Sequence, residues 1–574
     1  MIKQRILISL CAVAIATGAL AAEQRSRYIV ATRAVPRAAR PAILADTFEP
    51  RGERFVRNFD SVDAFAADLT DAEAAQLRRA PGVRSVQRVV PRQLTDNASA
   101  PPFVAAPDDG PLDSEQSVPW GIALVNAQQV WKLTKGRGTV NVAIFDTGID
   151  ARHPDLGANV AGGYNVFTQD ANSFDDNGHG THVAGTIAAL DNARGVVGVA
   201  PEARLWAVKV LDKDGNGTDE TIVAGVDKLL EWKHALGGQW IVSLSLGATD
   251  PSDAERAAFQ RLADEGVLAV AAAGNRGLPA LDYPAAYADV LSVAAIGSDQ
   301  LLAGFSSYGA GLGVVAPGVR VLSTAPVGTA VISAARPDGQ GWLTGLPFVG
   351  SSHAGLHASF VACALGKPGE FPAEVRGKIA LMQRGDITFA EKVRNAVDAG
   401  AVGAIIYNYD DNDPRPDWTL IRNDCSDVVT GCVPWPDDVN YPWPPAISLS
   451  RADGLKLVAQ SGGAITIGTW TTDYRTLNGT SMATPHVSGI AALLWALAPS
   501  ARMNEIRHAI TATAHDLGPS GYDTQYGFGL VDADAAAKLL APGGAVVSPS
   551  PAPPPPPPAS PPPSSPPPKR RAVH

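Results

Sequence analysis

The chain has 574 residues, more than one hydrophobic core usually organises, so two or more domains are expected. Its formal net charge of −10 argues against a nucleic-acid partner, because phosphate binding needs clustered Lys and Arg. Charged residues are 18% and hydrophobic residues 45%, with 56 Gly and 46 Pro, which is typical of a compact, loop-rich protein and not of a coiled coil.

The N-terminus has the pattern of a secretory signal peptide. Two basic residues precede an apolar run from Ile6 to Leu20, and Ala19 and Ala21 are the small residues of a signal peptidase site. We predict a signal over residues 1–22 and a secreted protein, extracellular or periplasmic. An uncleaved membrane anchor is the alternative, although the run is short for a bilayer span.

Residues 23–112 combine strand-like runs with one short helix. Asp71 is expected to cap this helix, Ala75 and Leu77 to form its apolar face, and Pro81 to end it. A small strand-and-helix module directly after a signal peptide favours an N-terminal α+β propeptide. An ordinary accessory domain is the alternative.

From residue 113 to 335, short apolar runs alternate with helical patterns. The runs lie at 142–145, 205–210, 241–246, 267–273 and 290–295. Near-continuous runs of this length are typical of parallel strands covered on both faces. Between two of them, Ser252 and Glu255 have the spacing of a helix capping box. The alternation predicts a doubly wound α/β sheet, in which reactive groups collect at the carboxyl ends of the strands.

Residues 336–468 interrupt this alternation. Strands are predicted at 378–382 and 402–407, with a helix between them whose apolar face includes Phe389 and Val393. We predict an inserted domain here, and the second part of the α/β domain over 469–541. The tail, 542–574, is rich in Pro and Ser, and this composition predicts a semi-rigid extension and not a packed core.

Removal of the signal leaves three cysteines, Cys363, Cys425 and Cys432. Export to an oxidising compartment would permit a disulfide, and Cys425 with Cys432 would close a short loop. The other two pairings and three reduced thiols stay open.

Three distant segments supply the residue types of nucleophilic catalysis. Asp146 ends the run "VAIF", His179 lies between two glycines at a helix start, and Ser481 begins an apolar helix. A serine hydroxyl needs an imidazole to accept its proton and a carboxylate to orient that imidazole. His182 competes for the role of base, but we expect it to be structural. Pro485 is tolerated in a first helical turn, whose free amides favour negative charge at the nucleophile.

These segments resemble the subtilisin-like serine peptidases, the subtilases. The matching motifs are "FDTGID", "HGTHVAGT" and "NGTSMATPHVSG", in the order Asp, His, Ser. The resemblance implies a subtilisin-like fold and a secreted endopeptidase, made as a self-processed zymogen, with Asp146, His179 and Ser481 as its catalytic residues. It also implies that residues 23–112 are an inhibitory propeptide, cut between 110 and 117.

The same resemblance assigns residues around the triad. Asn275 in "AAAGN" is expected to stabilise the oxyanion. Two segments, "SLSLG" and "AAAG", are expected to pair with an extended substrate, and a buried Asp282 would favour Lys or Arg before the cut bond. The expected substrate-binding residues are Ser245, Leu246, Gly247, Ala273, Gly274 and Asp282.

Resemblance further implies a structural calcium ion and a role for the insert. The calcium ligands would be side-chain and carbonyl oxygens of Gln116, Asp155, Leu190, Asn192, Arg194 and Val196. The insert resembles a protease-associated (PA) domain. Expected partners are protein or peptide substrates and the chain's own propeptide, with no nucleic acid, no membrane span in the mature form, and a monomeric state.

Other classes fit less well. An α/β-hydrolase esterase would place Ser in G-x-S-x-G and first in order, whereas Ala483 replaces the second Gly and Ser481 comes last. The sedolisins replace His with Glu, and the intact "HGTH" argues against them. An inactive scaffold would lack a catalytic residue, and none is missing.

Overall fold

A computed structural model describes residues 25–33, 35–48, 54–94, 116–137, 140–410, 419–421, 423–424, 433–434 and 436–540. The chain divides into two compact units, Met1–Val89 and Val90–His574. The predicted signal, the tail beyond 541, and the Cys425 and Cys432 pairing lie outside the described residues, as does the segment 110–115 of the cut expected between 110 and 117. Cys363 is buried and its thiol is free.

The first unit is an antiparallel sheet with two helices. Its strands are β1 (Ser26–Thr32), β2 (Phe55–Phe59), β3 (Ala64–Leu69) and β4 (Val83–Arg88), and its helices are α1 (Arg40–Thr47) and α2 (Asp71–Leu77), with a 3-10 turn at Arg37–Ala39. The sheet order is β2-β3-β1-β4. The expected cap of α2 was wrong by one residue. Thr70 accepts the Glu73 N–H while the Glu73 carboxylate accepts the Thr70 N–H, and Ala74, not Ala75, is buried.

The second unit opens with eleven strands and five helices among its described residues. The strands are β5 (Pro91–Leu94), β6 (Val140–Asp146), β7 (Val160–Asn165), β8 (Arg204–Lys209), β9 (Asn216–Thr218), β10 (Gln239–Leu244), β11 (Leu246–Gly247), β12 (Leu268–Ala272), β13 (Val290–Ile296), β14 (Val314–Pro317) and β15 (Val321–Thr324). The helices are α3 (Trp120–Leu124), α4 (Ala127–Val130), α5 (His179–Ala188), α6 (Asp219–Leu236) and α7 (Asp253–Asp264).

Seven of these strands form one parallel sheet in the order β14-β13-β12-β10-β6-β8-β7. All five predicted runs are strands of this sheet, which confirms the doubly wound α/β prediction. The strands read as apolar because helices cover the sheet, and every residue of β6 is buried. The reversal of strand order around β6 and β10 marks the point where such sheets place their sites.

The insert contains a second seven-stranded sheet. Its elements are β16 (Ala330–Pro337), β17 (Leu343–Gly345), β18 (Leu356–Ala362), β19 (Ile379–Gln383), α8 (Phe389–Asp398), β20 (Gly403–Tyr407), β21 (Asn423–Asp424), β22 (Val433–Pro434), α9 (Pro436–Val439), β23 (Ala446–Leu449), α10 (Arg451–Val458) and β24 (Ala464–Thr472), with a 3-10 turn at Ala373–Val375. The sheet order is β17-β16-β24-β18-β19-β20-β23. The boundaries expected at 336 and 468 fall inside β16 and β24, which pair with each other.

The chain then returns to the first sheet through β25 (Tyr474–Leu477), α11 (Thr480–Leu497), α12 (Met503–Ala512) and α13 (Ala533–Leu540). Helix α11 packs on β10, β12 and β13 and against α5, so the helices beginning at His179 and Thr480 are neighbours. Pro485 is its sixth residue, beyond the first turn in which it was expected, and the Ser481 carbonyl, which lacks the N–H that another residue would supply there, accepts the Ser245 hydroxyl instead. Among the described residues, no helix combines the length and apolar character that a membrane crossing needs.

Candidate active site

Asp146 and His179 form a buried hydrogen-bonded pair. The Nδ1 atom of His179 lies 2.8 Å from Asp146 Oδ1 and 3.0 Å from Oδ2. Because a carboxylate only accepts, Nδ1 carries the proton, and Nε2 is the basic nitrogen. The two side chains are 0% and 3% exposed, so water competes little for this hydrogen bond. The pair can therefore hold an imidazole in the tautomer that a general base requires.

The loop before α5 is organised by Asp175, which sequence reasoning missed. Its Oδ1 accepts the Gly178 N–H at 2.7 Å and the Thr147 hydroxyl at 2.8 Å, and its Oδ2 accepts the Thr181 N–H at 2.8 Å. This carboxylate ties the turn after β6 to the first turn of α5. The available signal was the run "DDNG" directly before His179.

Close approach at this helix start requires glycine. A Cβ on Gly180 would lie 2.2 Å from the Gly148 carbonyl oxygen, and Gly178 has a φ of +104°, where L side chains are strained. Both glycines flank His179. They therefore allow the imidazole-bearing turn to sit directly against the turn that follows Asp146.

Ser481 is fully buried in the first turn of α11. Its hydroxyl donates to the Ser245 carbonyl at 3.1 Å, and the Ser245 hydroxyl donates to the Ser481 carbonyl at 2.8 Å. Ser245 lies between β10 and β11, so these reciprocal hydrogen bonds fix the serine at the carboxyl end of β10. The N-cap residue, Gly479, has no side chain that could cap α11, and the positive helix end lies beside Ser481.

The anchors of His179 and Ser481 are adjacent. Strands β6 and β10 are parallel neighbours in which Phe145 pairs with Leu244, so the next residues, Asp146 and Ser245, lie side by side at this edge of the sheet. Neighbouring strands are about 4.8 Å apart. The sheet thus brings the ends of three distant segments to one edge.

Asn275 is joined to the residue before Ser481. Its Oδ1 accepts both the Thr480 N–H and the Thr480 hydroxyl, each at 2.9 Å. Since the amide oxygen is held by these two donors, Nδ2 is the donor end of the side chain. This orientation is the one that an oxyanion donor needs.

His182, the competing base, serves the structure. Its Nε2 lies 3.0 Å from the Val321 carbonyl and 3.1 Å from the Arg475 carbonyl, so it is a proton donor to backbone oxygens. Burial lowers the pKa of His182 well below its ordinary value, and the Arg475 charge lowers it further. A neutral, fully buried imidazole of this kind joins α5 to β15.

Strand β5 lies between β11 and β9 as the middle of a three-stranded antiparallel sheet. Leu94 pairs with Leu246, and Gln93 pairs with Gly247 on one side and Asn216 on the other. The expected segment containing Leu246 and Gly247 therefore does pair with an extended chain. The second edge is Asn216–Thr218, which sequence reasoning missed although the glycines of "DGNGT" indicated an open turn.

The second expected edge segment, containing Ala273 and Gly274, offers no free backbone edge. Strand β12 is paired on both sides, with β10 and β13, so it has no free edge. Beyond its end, the Ala273 N–H donates to Val293 and the Asp282 N–H donates to Ala273. These backbone groups are therefore already used inside the protein.

Asp282, the buried carboxylate expected to favour Lys or Arg before the cut bond, already has a cationic partner. Arg276 donates to Asp282 Oδ1 from Nε at 3.0 Å and from Nη2 at 2.5 Å. Burial raises the pKa of Asp282, and the Arg276 charge opposes that rise. Asp282 does lie against Gly274, where a Cβ would be 2.3 Å from its Oδ2. Its charge, however, is matched by a cation of the same chain.

The residues expected to bind calcium are brought together around Asp155. The Gln116 amide donates to the Leu190 carbonyl at 2.8 Å and the Val196 carbonyl at 3.4 Å, so the two carbonyls converge. The Asp155 carboxylate accepts from the Asn192 amide at 2.8 Å. The Arg194 N–H donates to the Asn192 side chain at 3.1 Å.

This donor set fits a hard cation if one amide turns over. A half-turn of the Gln116 amide would place its oxygen, in place of Nε2, beside the Leu190 and Val196 carbonyls. Oxygen ligands of this kind suit Ca²⁺. The described residues contain no cluster of three or more His, Cys, Asp and Glu side chains able to hold a metal, so such a site would combine the one Asp155 carboxylate with neutral oxygens.

Family models match three parts of the chain. Residues 136–376 and 454–529 match the subtilase family, residues 352–457 the PA domain, and residues 25–95 the peptidase inhibitor I9 family. The PA match fills the interruption of the subtilase match. The inhibitor match includes β5.

Individual relatives agree with these models. The chain is 35% identical over 323 residues to a thermostable alkaline protease of Halalkalibacterium halodurans, covering 56% of this chain and 80% of that protein. It is 48% identical over 214 residues to subtilisin BL of Lederbergia lenta, covering 37% and 77%. A solved structure, the psychrophilic subtilisin-like protease Apa1 of Pseudoalteromonas sp. AS-11, superposes with a TM-score of 0.60 at 33% identity, covering 74% of this chain and 98% of that one.

Proposed function

The chain belongs to the subtilase family of serine endopeptidases, with an I9-type propeptide and an inserted PA domain, and we propose that it cuts peptide bonds through Asp146, His179 and Ser481. The main support for this proposal is one observation. His179 is hydrogen-bonded to Asp146 at the end of β6, and the Ser481 hydroxyl donates to Ser245, which directly follows the neighbouring strand β10.

In the proposed reaction, Ser481 Oγ attacks the substrate carbonyl carbon while His179 Nε2 takes the hydroxyl proton. The tetrahedral oxyanion accepts hydrogen bonds from Asn275 Nδ2 and the Ser481 backbone N–H. The imidazolium formed on His179 is stabilised by Asp146 and gives its proton to the leaving amine. Water then hydrolyses the acyl-enzyme by the same proton path.

We propose that the first substrate is the chain itself. The segment Pro91–Leu94 lies in the region that matches the inhibitor family and is the middle strand between β9 and β11, where it pairs with Leu246, one residue from Ser245. An extended chain in that position is held by backbone pairing on both sides, as a substrate would be. Cleavage of the chain after this segment would release the propeptide.

Replacement of the nucleophile tests the proposal. Ser481→Ala is expected to stay full length after purification and to hydrolyse no peptide, because no oxygen remains to form the acyl-enzyme; a loss of about 10⁶-fold is typical. Ser450→Ala is the matched control, since Ser450 also begins a helix but its hydroxyl caps that helix by accepting the Asp453 N–H. Purified Ser481→Ala protein that matured unaided would refute the proposal.

The finer expectations follow from this function. We propose that residues 1–22 direct secretion and are removed, and that a calcium ion holds the loop around Asp155. For calcium, chelation is expected to lower the Tm of the mature protein and added Ca²⁺ to restore it, with a smaller change in Asp155→Asn. Equal Tm values with and without Ca²⁺ would contradict the assignment.

A further inference from the structure

Strand β5 gives the register in which an extended chain lies beside Ser481. Leu94 is opposite Leu246 and its N–H donates to the Gly215 carbonyl at 3.0 Å. The pairing is antiparallel, so a substrate chain continuing past the position of Leu94 meets Ser245, whose carbonyl accepts the Ser481 hydroxyl. The bond cut in such a substrate follows the residue after the Leu94 position. Counted back from that bond, the position of Arg92 is the fourth residue.

The side chain at this fourth position enters a closed acidic pocket. Arg92 Nε donates to Glu255 Oε1 at 3.0 Å, and Nη2 donates to Glu255 Oε2 at 2.7 Å. Both side chains are 0% exposed, whereas the neighbouring Pro91 and Gln93 are exposed. The two parallel hydrogen bonds match the planar fork of a guanidinium, which a lysine ammonium cannot reproduce.

Although its sequence position suggests a helix-capping role, the Glu255 side chain does not cap α7. Ser252 caps α7 by accepting the Glu255 N–H, but the return bond of a capping box is not made by Glu255. The Ser252 N–H instead donates to the Tyr287 hydroxyl at 2.9 Å, and that hydroxyl also lies 2.9 Å from Glu255 Oε2. The Tyr287 hydroxyl thus accepts the Ser252 N–H at the start of α7 and helps to orient the Glu255 carboxylate towards Arg92.

A second carboxylate borders the same pocket. Asp219 is buried, and its Oδ1 accepts the Val90 N–H at 2.9 Å. Burial raises the pKa of Asp219 to about 6, and the negative charge of Glu255 acts in the same direction. Once the propeptide leaves, Arg92 leaves with it, and Glu255 keeps no arginine partner in this pocket. The emptied pocket opens to water, and a guanidinium that enters it can form the same two parallel hydrogen bonds with Glu255.

Asp282 differs from Glu255 in the part of the chain that supplies its arginine partner. Its partner, Arg276, belongs to the catalytic domain and remains after propeptide release. The carboxylate that loses its partner on maturation is Glu255. Basic selectivity should therefore lie at the fourth residue before the cut and not at the first.

We propose that Glu255 is a specificity-determining residue that selects arginine at the fourth position before the scissile bond of protein substrates. This inference rests on the proposed endopeptidase function. Arg92 is the chain's own example of the preferred side chain. The pocket orients the substrate and takes no part in bond cleavage, so its effect should appear in kcat/KM as a preference among peptides.

The test uses the mature protein and four fluorogenic peptides that differ only at the fourth position: Arg, its neutral isostere citrulline, Lys and Leu. Mass spectrometry of the products fixes the cut bond. Because a hydrogen-bonded buried charge pair contributes about 1.5–3 kcal/mol, kcat/KM is expected to be about 10- to 100-fold higher for Arg than for citrulline, with Lys between them.

Two variants then test whether Glu255 causes the preference for arginine. In Glu255→Gln the ratio of kcat/KM for the Arg peptide to that for the citrulline peptide should fall towards one. In Glu265→Gln, a change at the other end of the same helix, this ratio should equal that of the unaltered protein. Equal cutting of Arg and citrulline peptides by the unaltered protein, or an undiminished ratio in Glu255→Gln, would overturn the proposal while leaving the endopeptidase function intact. Cleavage of none of the four would instead overturn the proposed function, and this inference with it.

Discussion

The two seven-stranded sheets of the second unit both contain parallel strands joined by helices, yet they differ in the residues that succeed those strands. In the first sheet, β6 and β10 lead to Asp146 and Ser245, which hold His179 and Ser481. In the insert, β23 leads to Ser450, whose hydroxyl caps α10 by accepting the Asp453 N–H at 3.0 Å. A serine at a helix start is therefore a structural cap in one sheet and a candidate nucleophile in the other.

The other strand ends of the insert are equally self-contained. Arg384 follows β19 and Asn408 follows β20, and the two side chains bond to each other at 3.3 Å. The parallel arrangement supplies an edge in both sheets. Whether the edge can do chemistry depends on the side chains placed there and on the neighbours that orient them.

The largest loss of activity is expected from a change at Asp146, at the end of β6. Asp146→Asn would present an amide to His179 and favour the wrong tautomer, so kcat should fall by about 10⁴-fold with the fold retained. The measurement is kcat for a short peptide. Asp150→Asn, a change in the same loop at a carboxylate bonded to Arg152, is the control and should keep most of the activity. Full activity in Asp146→Asn would remove the Asp from the mechanism.

A smaller loss is expected at Asn275. Asn275→Ala removes one donor to the oxyanion, which should lower kcat by about 10²- to 10³-fold and leave KM nearly unchanged, because the oxyanion exists only beyond the ground state. Steady-state kinetics on one peptide separate the two constants. A rise in KM at constant kcat would instead make Asn275 a substrate-binding residue.

The smallest effect is expected in the insert, at Lys392. This lysine is buried, its Nζ donates to the Leu365 carbonyl, and burial lowers its pKa from 10.5 to about 8. Between pH 8 and 10.5 the unfolded chain therefore binds more protons than the folded one, so the free energy of unfolding of this domain rises with pH across that window. Below pH 8 the cost of burying the charge is fully present.

Lys392→Met should flatten that rise and, near neutral pH, stabilise the insert by an amount on the order of 1 kcal/mol. Thermal unfolding followed at several pH values measures both effects. Lys456→Met, at an exposed position, is the control and should change neither. In both variants kcat/KM for a short peptide should stay the same, and a large loss would mean that the two sheets are not independent in function.

Sequence reasoning predicted the catalytic sheet well because each strand and helix start carries its own local signal. Asp146 ends an apolar run and His179 begins a helix, so their approximate positions follow from parallel-sheet geometry. Glu255 was interpreted as a capping residue, because the spacing from Ser252 gives no sign of Tyr287, which takes over that role. A long-range partner changed the meaning of a local motif.

Asp282 and the edge at Asn216–Thr218 show the same limit of prediction from local sequence. Asp282 has a partner only six residues upstream, Arg276, but nothing local shows that the intervening turn folds them together. The edge at Asn216–Thr218 is defined by its pairing with β5, more than a hundred residues away in sequence. Pairings of this kind depend on the assembled fold and leave little trace in either segment.

The most direct test of the triad is covalent labelling of the mature protein with a serine-directed phosphonate, followed by digestion and mass spectrometry. We expect a single adduct on Ser481, retained in Ser450→Ala and abolished in Ser481→Ala and His179→Ala. An adduct on another residue, with Ser481 unmodified in a preparation that hydrolyses peptides, would contradict this expectation.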